Sequence, residues 1–142
     1  MGVLKGSFLF LADLVRHISV PCTVDFVRLS SYGAATASSG AVRQVMPWSD
    51  PVHGRHLVVV EEIVDSGNTL ALLLAELRAQ QPASLRVCTL IDKTGRRETT
   101  VGVDYRGFEL DDGFVVGYGL DYDEFLRNLP DIHVLSEDEI TP

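Results

Sequence analysis

The chain lacks the residues and spacings that define several classes of protein. It has two cysteines, Cys22 and Cys88, with no C-x-x-C spacing, and its four histidines form no H-x-x-x-H pair. A disulfide framework is therefore not indicated. Both cysteines lie in apolar, strand-like stretches, so we expect them to be core residues in a reducing compartment. His53 and His56 flank a loop and are expected to be solvated.

Long apolar runs and excess positive charge are also missing. The apolar stretch of residues 8–15 is interrupted by Asp13 and is too short to cross a membrane. No signal-peptide pattern opens the chain, so we expect a cytoplasmic protein. The formal net charge of −8 argues against a nucleic-acid or membrane-surface binder. A phosphorylated small molecule remains compatible with it, because backbone N–H groups, a few Lys and Arg, and Mg²⁺ offset the charge locally.

The composition that is present, 46% hydrophobic and 23% charged, is typical of a globular protein with a substantial core. We expect one domain spanning residues 1–142. Strand and helix patterns alternate along the chain, which predicts an α/β fold with a mostly parallel central sheet and flanking helices. The predicted helices are residues 8–18, 69–80 and 121–128, and the predicted strands are residues 22–29, 42–46, 57–62, 85–91, 101–105, 114–118 and 132–135.

Residues 57–70 are the most informative stretch. Four consecutive apolar residues, 57–60, predict a strand buried on both faces, and Glu61 and Glu62 stand at its end. A short polar loop, residues 65–69, then leads into a helix whose leucines share one face. The leucines are Leu70, Leu73, Leu74 and Leu77.

A strand, a polar loop and a helix N-terminus together form an anion site, because free backbone N–H groups and the helix dipole converge there. The upstream carboxylates suit a sugar diol or Mg²⁺. Helix capping alone accounts for Asp65, Ser66 and Thr69, but it does not account for two adjacent carboxylates closing a hydrophobic strand. We therefore favour a phosphate or sugar-phosphate site.

Residues 61–69 resemble the phosphoribosyl-pyrophosphate (PRPP) signature of the type I phosphoribosyltransferases. Three further segments resemble the hypoxanthine-guanine phosphoribosyltransferases in particular. Residues 3–6 are similar to their pyrophosphate loop, residues 25–33 to the strand entering their mobile lid, and residues 103–122 to their purine-binding region. The resemblance runs from residue 3 to 135 and implies the type I fold, a lid at about residues 31–46, and a small C-terminal hood-like region.

The resemblance also implies an activity. The family transfers a 5-phosphoribosyl group from PRPP to hypoxanthine or guanine, giving IMP or GMP and pyrophosphate, with Mg²⁺ as cofactor, and its members are homodimers or homotetramers. Family members usually carry a further segment before the Leu-Lys-Gly loop at residues 4–6, so we expect that segment to be missing here. Two alternatives on the same fold stay open: a non-catalytic PRPP- or nucleotide-binding regulator, and an inactive truncated paralogue.

The roles implied for PRPP and metal binding concern the first half of the site. Asp65 would be the general base, and Glu61 and Glu62 would hold the ribose hydroxyls directly or through Mg²⁺. Lys5 and Gly6 would form a non-proline cis turn facing pyrophosphate. The remaining PRPP and phosphate ligands would be Ser31, Tyr32, Ser66, Gly67, Asn68, Thr69 and Arg127. Glu62 stands where the family usually has Asp, and Asn68 where it often has Lys.

The roles implied for purine binding concern the second half of the chain. Lys93 would donate to the purine 6-oxo group, Phe114 would stack on the base, and Val115 would contact its edge through backbone groups. Asp121, beside the purine, would bind Mg²⁺. Without the resemblance, Lys93 would be a solvated residue, Phe114 core, Asp121 a helix cap and Arg127 a surface residue.

Overall fold

The computed structural model describes residues 1–30 and 43–136, and a six-stranded sheet organises them. The strand order is β3-β2-β1-β4-β5-β6, with every neighbouring pair parallel except β2 and β3. The strands are β1 (Gly2–Leu4), β2 (Phe26–Ser30), β3 (Arg43–Met46), β4 (His56–Val64), β5 (Ser84–Lys93) and β6 (Tyr105–Leu110). The predicted, mostly parallel α/β sheet is confirmed.

Two helices cover the sheet, α1 (Phe8–Arg16) and α2 (Asn68–Ala79). All four predicted leucines of α2 are buried, and they pack in one cluster with Val59 of β4. Val60, the next residue, packs instead with Leu11 of α1. Since successive strand residues point to opposite faces, β4 is buried on both faces at this point, as its sequence predicts. Val58, earlier in the same apolar run, is 39% exposed.

A second, two-stranded antiparallel sheet lies towards the C-terminus, formed by β7 (Phe114–Val116) and β8 (His133–Leu135). We call residues 114–135 the hood. Val115 and Leu120 of the hood pack in one cluster with Leu90 and Ile91 of β5. That cluster fixes the hood beside the carboxyl end of the large sheet.

Three sequence-based expectations are wrong. Residues 121–128 form turns and not a helix, because Asp123, Glu124 and Leu126 have positive φ angles, which a right-handed helix does not allow. The predicted strand at residues 101–105 is displaced to β6, while the loop valines Val101 and Val103 pack on the core instead. Cys88 is buried as expected, but Cys22 is exposed because β2 begins only at Phe26.

The predicted lid falls largely outside the described residues, and so do Ser31 and Tyr32. Only its last part is described, as the antiparallel strand β3.

The topology brings the predicted chemistry to one edge of the sheet. β4 and β5 run parallel, and their last paired residues are Val64 and Asp92. Asp65 and Lys93 therefore follow directly at neighbouring strand ends. In open α/β sheets the crevice beyond the carboxyl ends of the strands is where ligands bind.

Candidate functional site

Glu61 and Glu62 form an acidic pair inside β4 and not beyond its end. Glu61 is only 7% exposed, and this burial, reinforced by the negative charge of Glu62, raises its pKa well above the ordinary value. Burial also raises the pKa of Glu62, against the opposing effect of the Arg127 charge. One buried oxygen of Glu62, Oε2, has no hydrogen-bond partner. An unpartnered buried carboxylate oxygen is costly and fits a site that binds a cation or a hydroxyl group.

Gly6 brings the β1–α1 turn into contact with this acidic pair. A Cβ atom at Gly6 would overlap the Glu62 side chain, and one at Gly119 of the hood would overlap the Gly6 carbonyl group. The peptide bond between Leu4 and Lys5, just before Gly6, is cis. Three segments remote in sequence thus meet at the predicted pyrophosphate loop.

A charged network connects the same turn to the hood. Lys5 Nζ lies 2.5 Å from Glu124 Oε2, and Arg127 Nη2 lies 2.8 Å from Asp121 Oδ1 and 3.5 Å from Glu124 Oε2. Arg127 also donates to the Gly119 carbonyl oxygen at 2.8 Å, while its Nε is buried without a partner. The structure therefore brings Lys5, Asp121 and Arg127 together. Glu124, which joins them, was not singled out from the sequence.

The phosphate loop, residues 65–69, leads directly into α2. Gly67 is the N-cap, with a φ of +84°, and it has no side chain to cap the helix. Ser66 Oγ accepts a hydrogen bond from the Asn68 N–H group at 3.4 Å, so helix capping accounts in part for Ser66. A cavity of about 160 Å³ adjoins it. The polar residues that line the cavity are Glu61, Asp65, Ser66 and Thr69.

The side chain of Asn68 in the phosphate loop forms hydrogen bonds with the loop after β5. Its amide nitrogen donates to Glu98 Oε2 at 2.6 Å, and its carbonyl oxygen accepts a hydrogen bond from the Thr99 hydroxyl. Asn68 is absent from the lining of the 160 Å³ cavity, so its contribution there would be its backbone N–H group. Glu98 and Thr99 belong to the loop after β5, and neither was identified from the sequence.

Lys93 is buried, with 4% of its surface exposed, so the expectation of a solvated lysine does not hold. Its ammonium group lies 3.8 Å from Asp65 Oδ2 and 3.5 Å from Asp112 Oδ1. Asp65 Oδ1 is buried without a hydrogen-bond partner. A buried cation and a carboxylate with a free oxygen can together donate to one part of a ligand and accept from another.

The hood contains two aromatic groups that contact each other. Phe114 is partly buried and packs edge-to-face on Tyr122, with ring centroids 5.4 Å apart. Val115, the next residue along β7, is buried. Tyr122 is a further aromatic residue at this position that the sequence did not single out.

Within residues 1–30 and 43–136, no group of three or more His, Cys, Asp or Glu side chains converges as a metal cluster. The same part of the chain contains no helix that is long and apolar enough to cross a membrane. A larger cavity of about 750 Å³ lies elsewhere, and its lining contains none of the predicted site residues. The lining includes Met1, Leu14, Ile18 and Val58. We therefore place the functional site at the smaller cavity, where the buried polar groups are.

Comparisons with known proteins identify the family and the fold. A family model of the phosphoribosyl transferase domain matches residues 1–123. The hypoxanthine-guanine phosphoribosyltransferase of Bacillus subtilis is 46% identical over 95% of this chain and 75% of its own length. A Bacillus anthracis hypoxanthine-guanine phosphoribosyltransferase structure superposes with a TM-score of 0.89 at 44% identity, covering 95% of this chain and 79% of that one.

A third similar protein comes from Trypanosoma cruzi. A mutant hypoxanthine phosphoribosyltransferase of Trypanosoma cruzi, solved as a ternary substrates complex, superposes with a TM-score of 0.94 at 40% identity. The alignment covers 99% of this chain and 77% of that one. Sequence and structure lead to the same conclusion: the chain belongs to the phosphoribosyltransferase family and, within it, to the hypoxanthine-guanine phosphoribosyltransferases, which are pentosyl-transferring enzymes.

Proposed function

We propose that this chain transfers the 5-phosphoribosyl group of PRPP to hypoxanthine or guanine, giving IMP or GMP and pyrophosphate in purine salvage. The observation that carries the proposal is the pairing of the buried Lys93 with the partly exposed Asp65 at the ends of β5 and β4, beside the phosphate loop. A 6-oxopurine offers an oxygen that accepts from Lys93 and an imidazole N–H that donates to Asp65. Adenine has an amino group in place of that oxygen and matches this pair less well.

In the reaction, a purine ring nitrogen (N9 or N7) bonds to C1′ of PRPP while the bond from C1′ to the pyrophosphate oxygen breaks. Pyrophosphate leaves with the electron pair, and Asp65 accepts the proton that the purine loses. The ribose acquires oxocarbenium character, so the principal task of the protein is to position both reactants and exclude water. Backbone N–H groups and hydroxyls of residues 66–69 would bind the 5′-phosphate.

Pyrophosphate would be bound away from the phosphate loop, at the turn that contains Gly6. Lys5, in the same turn, and Arg127 are the nearby cations. Arg127 donates to the carbonyl oxygen of Gly119, which closely approaches Gly6. Arg127 has an unpartnered buried Nε, which a pyrophosphate oxygen would satisfy. Phe114 would stack on the purine, and Val115 would contact its edge through backbone groups.

The donor set fits Mg²⁺. Carboxylate oxygens are its preferred protein ligands, and Mg²⁺ commonly uses one or two of them together with substrate oxygens. Glu62 has a free buried oxygen and Glu61 lies beside it, while Asp121 is held by Arg127. Bound Mg²⁺ would neutralise charge on the departing pyrophosphate. We propose Glu61, Glu62 and Asp121 as its ligands, each acting with substrate oxygens.

The experiment is a spectrophotometric assay of purified protein with PRPP, Mg²⁺ and, separately, hypoxanthine, guanine, xanthine and adenine. Turnover of 6-oxopurines that is lost without Mg²⁺, and reduced about 100-fold or more in Asp65→Asn, is the expected result. Asp50→Asn, a substitution of the same kind on an exposed loop outside the site, is the matched control. Absence of turnover in a folded protein that still binds PRPP or GMP would instead identify a nucleotide-binding regulator or an inactive paralogue.

We further propose that residues 1–142 act as one domain, that the protein is cytoplasmic, and that it assembles as a homodimer or homotetramer like its family. Analytical ultracentrifugation of the purified protein tests the assembly. A single species with the mass of the monomer at micromolar concentration would contradict it.

A further inference from the structure

We propose that Arg97 is a positioning residue that holds Asp65 and Lys93 in their catalytic arrangement. The inference rests on the proposed function, because it concerns the same site. Arg97 lies in the loop after β5 and has no hydrogen bond or ion pair with the side chain of the predicted general base, Asp65, or of the predicted purine-binding residue, Lys93. Its contacts are to the backbone that carries them.

The guanidinium group of Arg97 links the ends of two neighbouring strands. Its Nε donates to the Asp65 carbonyl oxygen at 2.9 Å, and its Nη2 donates to the carbonyl oxygens of Val64 and Lys93, both at 3.0 Å. The paired residues of β4 and β5 end with Val64 and Asp92. Arg97 therefore extends the connection between the strands by one residue, to the positions from which Asp65 and Lys93 project.

A buried carboxylate anchors the guanidinium group. Arg97 Nη2 also forms an ion pair with Asp92 Oδ1, and Asp92 is only 3% exposed. The other oxygen of Asp92, Oδ2, pairs with Arg106 Nε at 3.0 Å. A buried carboxylate requires such partners, so the charge pairing holds Arg97 in one orientation. The guanidinium group reaches the Asp65 carbonyl oxygen through Nε while Nη2 meets the other three acceptors. A lysine ammonium group placed at Nη2 has no second nitrogen for the Asp65 carbonyl.

The same loop supports the phosphate loop independently of Arg97. The backbone N–H groups of Glu98 and Thr99 donate to the Ser66 carbonyl oxygen at 3.0 Å and 2.9 Å. Because those bonds do not involve the Arg97 side chain, removal of the guanidinium group should leave phosphate binding largely intact. The effect should fall on the placement of Asp65 and Lys93.

The test compares Arg97→Gln and Arg97→Lys with Arg106→Gln as matched control. Arg106→Gln removes the other cation from Asp92 but none of the three carbonyl contacts. We expect kcat to fall about 10- to 100-fold in both Arg97 variants, because displacement of catalytic groups by about 1 Å has an effect of that order. The KM for PRPP should change less than about threefold, since binding common to ground and transition states is kept.

A second readout separates positioning from a general loss of stability. The preference for hypoxanthine over adenine should narrow in both Arg97 variants, because the Lys93 backbone carbonyl loses the guanidinium group that anchors it, and stay unchanged in Arg106→Gln. Equal losses of kcat in Arg97→Lys and Arg106→Gln, with unchanged base preference in both, would overturn the proposal. If Arg97→Gln does not fold, Arg97→Lys decides, since it keeps a charge beside Asp92 and lacks only the fork. An inactive wild-type protein would refute the proposed function itself, which no Arg97 result does.

Discussion

The Lys93 ammonium group lies 3.8 Å from the Asp65 carboxylate, although 27 residues separate the two along the chain. Parallel pairing of β4 and β5 brings them together, because both residues immediately follow the last paired positions. Lys93 is buried and its second partner, Asp112, is exposed. Asp65 and Asp112 therefore orient the Lys93 ammonium group before a ligand binds.

Replacement of Lys93 should change which purines are used. In Lys93→Gln we expect kcat/KM for hypoxanthine to fall roughly 100-fold, because a charge-assisted hydrogen bond to the 6-oxo group is lost. The value for adenine should change much less. Steady-state kinetics with both bases measures the ratio. Asp112→Asn, which alters the exposed partner alone, is the control, and an unchanged base ratio in Lys93→Gln would contradict the role of Lys93.

Replacement of Glu61 should stabilise the ligand-free protein while it impairs the enzyme. Burial raises the pKa of Glu61 above 4.5, so the folded state holds its proton more tightly than the unfolded chain. The free energy of unfolding therefore decreases as pH rises from 4.5 towards the raised pKa, and that loss persists at higher pH. At pH 7, Glu61→Gln should unfold with a free energy about 1 kcal/mol higher than wild type.

Urea denaturation between pH 5 and 8 measures this effect. The difference between variant and wild type should grow with pH, whereas Glu76→Gln on the exposed face of α2 should show no such trend. A Glu61→Gln variant that is destabilised equally at every pH would show that the ionised Glu61 carboxylate does not lower the free energy of unfolding. Activity should fall in Glu61→Gln, because a ligand for the ribose hydroxyls or Mg²⁺ is removed.

Alanine substitutions at three glycines distinguish the cost of a positive φ angle from the cost of a steric overlap. Gly67 has a positive φ, and a Cβ there would overlap the Thr99 carbonyl oxygen; Gly54 has a positive φ but open space; Gly102 has neither restriction. We expect Gly67→Ala to lose roughly 1–3 kcal/mol of unfolding free energy and Gly54→Ala about 1 kcal/mol, with Gly102→Ala close to neutral. Thermal unfolding gives the order. Only Gly67→Ala should also weaken PRPP binding, and equal effects in Gly54→Ala would refute the contact argument.

Glu124 competes for the cations that pyrophosphate would use. Its carboxylate lies 2.5 Å from Lys5 and 3.5 Å from Arg127, and the hydrogen bond from Lys5 lowers its pKa. In Glu124→Gln we expect pyrophosphate to bind roughly three- to tenfold more tightly at low salt, with a smaller gain at high salt because Lys5 and Glu124 are exposed. Calorimetric titration measures it. Asp123→Asn changes the net charge equally on the same turn, so equal gains in both variants would indicate a general charge effect.

Sequence patterns predicted well those elements that follow one periodicity. The leucines of α2 were identified because burial decides their positions, and β4 was identified from its apolar run, of which Val59 and Val60 are buried while Val58 is exposed. The turns at residues 121–128 were taken for a helix, because positive φ angles at Asp123 and Glu124 leave no mark in a hydrophobic pattern. Contacts with the rest of the fold determine those angles.

The residues of the candidate site likewise divide into those that the sequence identified and those that it did not. Asp65, Lys93 and Arg127 were identified through the family resemblance, and the structure brings the first two together at neighbouring strand ends. Arg97 was missed because a single arginine in a polar loop has no periodic signal. One signal was available: Asp92 closes a strand that is otherwise buried, and a buried carboxylate requires a cation.

Because Gly6 closely approaches Gly119 of the hood, local unfolding of the hood should abolish activity. Gly119, Asp121 and Arg127 all reside in the hood, whose regular structure is limited to two strands of three residues each. Small units of this kind open at lower free energy than the sheet they rest on. Catalytic competence should therefore disappear at denaturant concentrations where circular dichroism still reports an intact sheet.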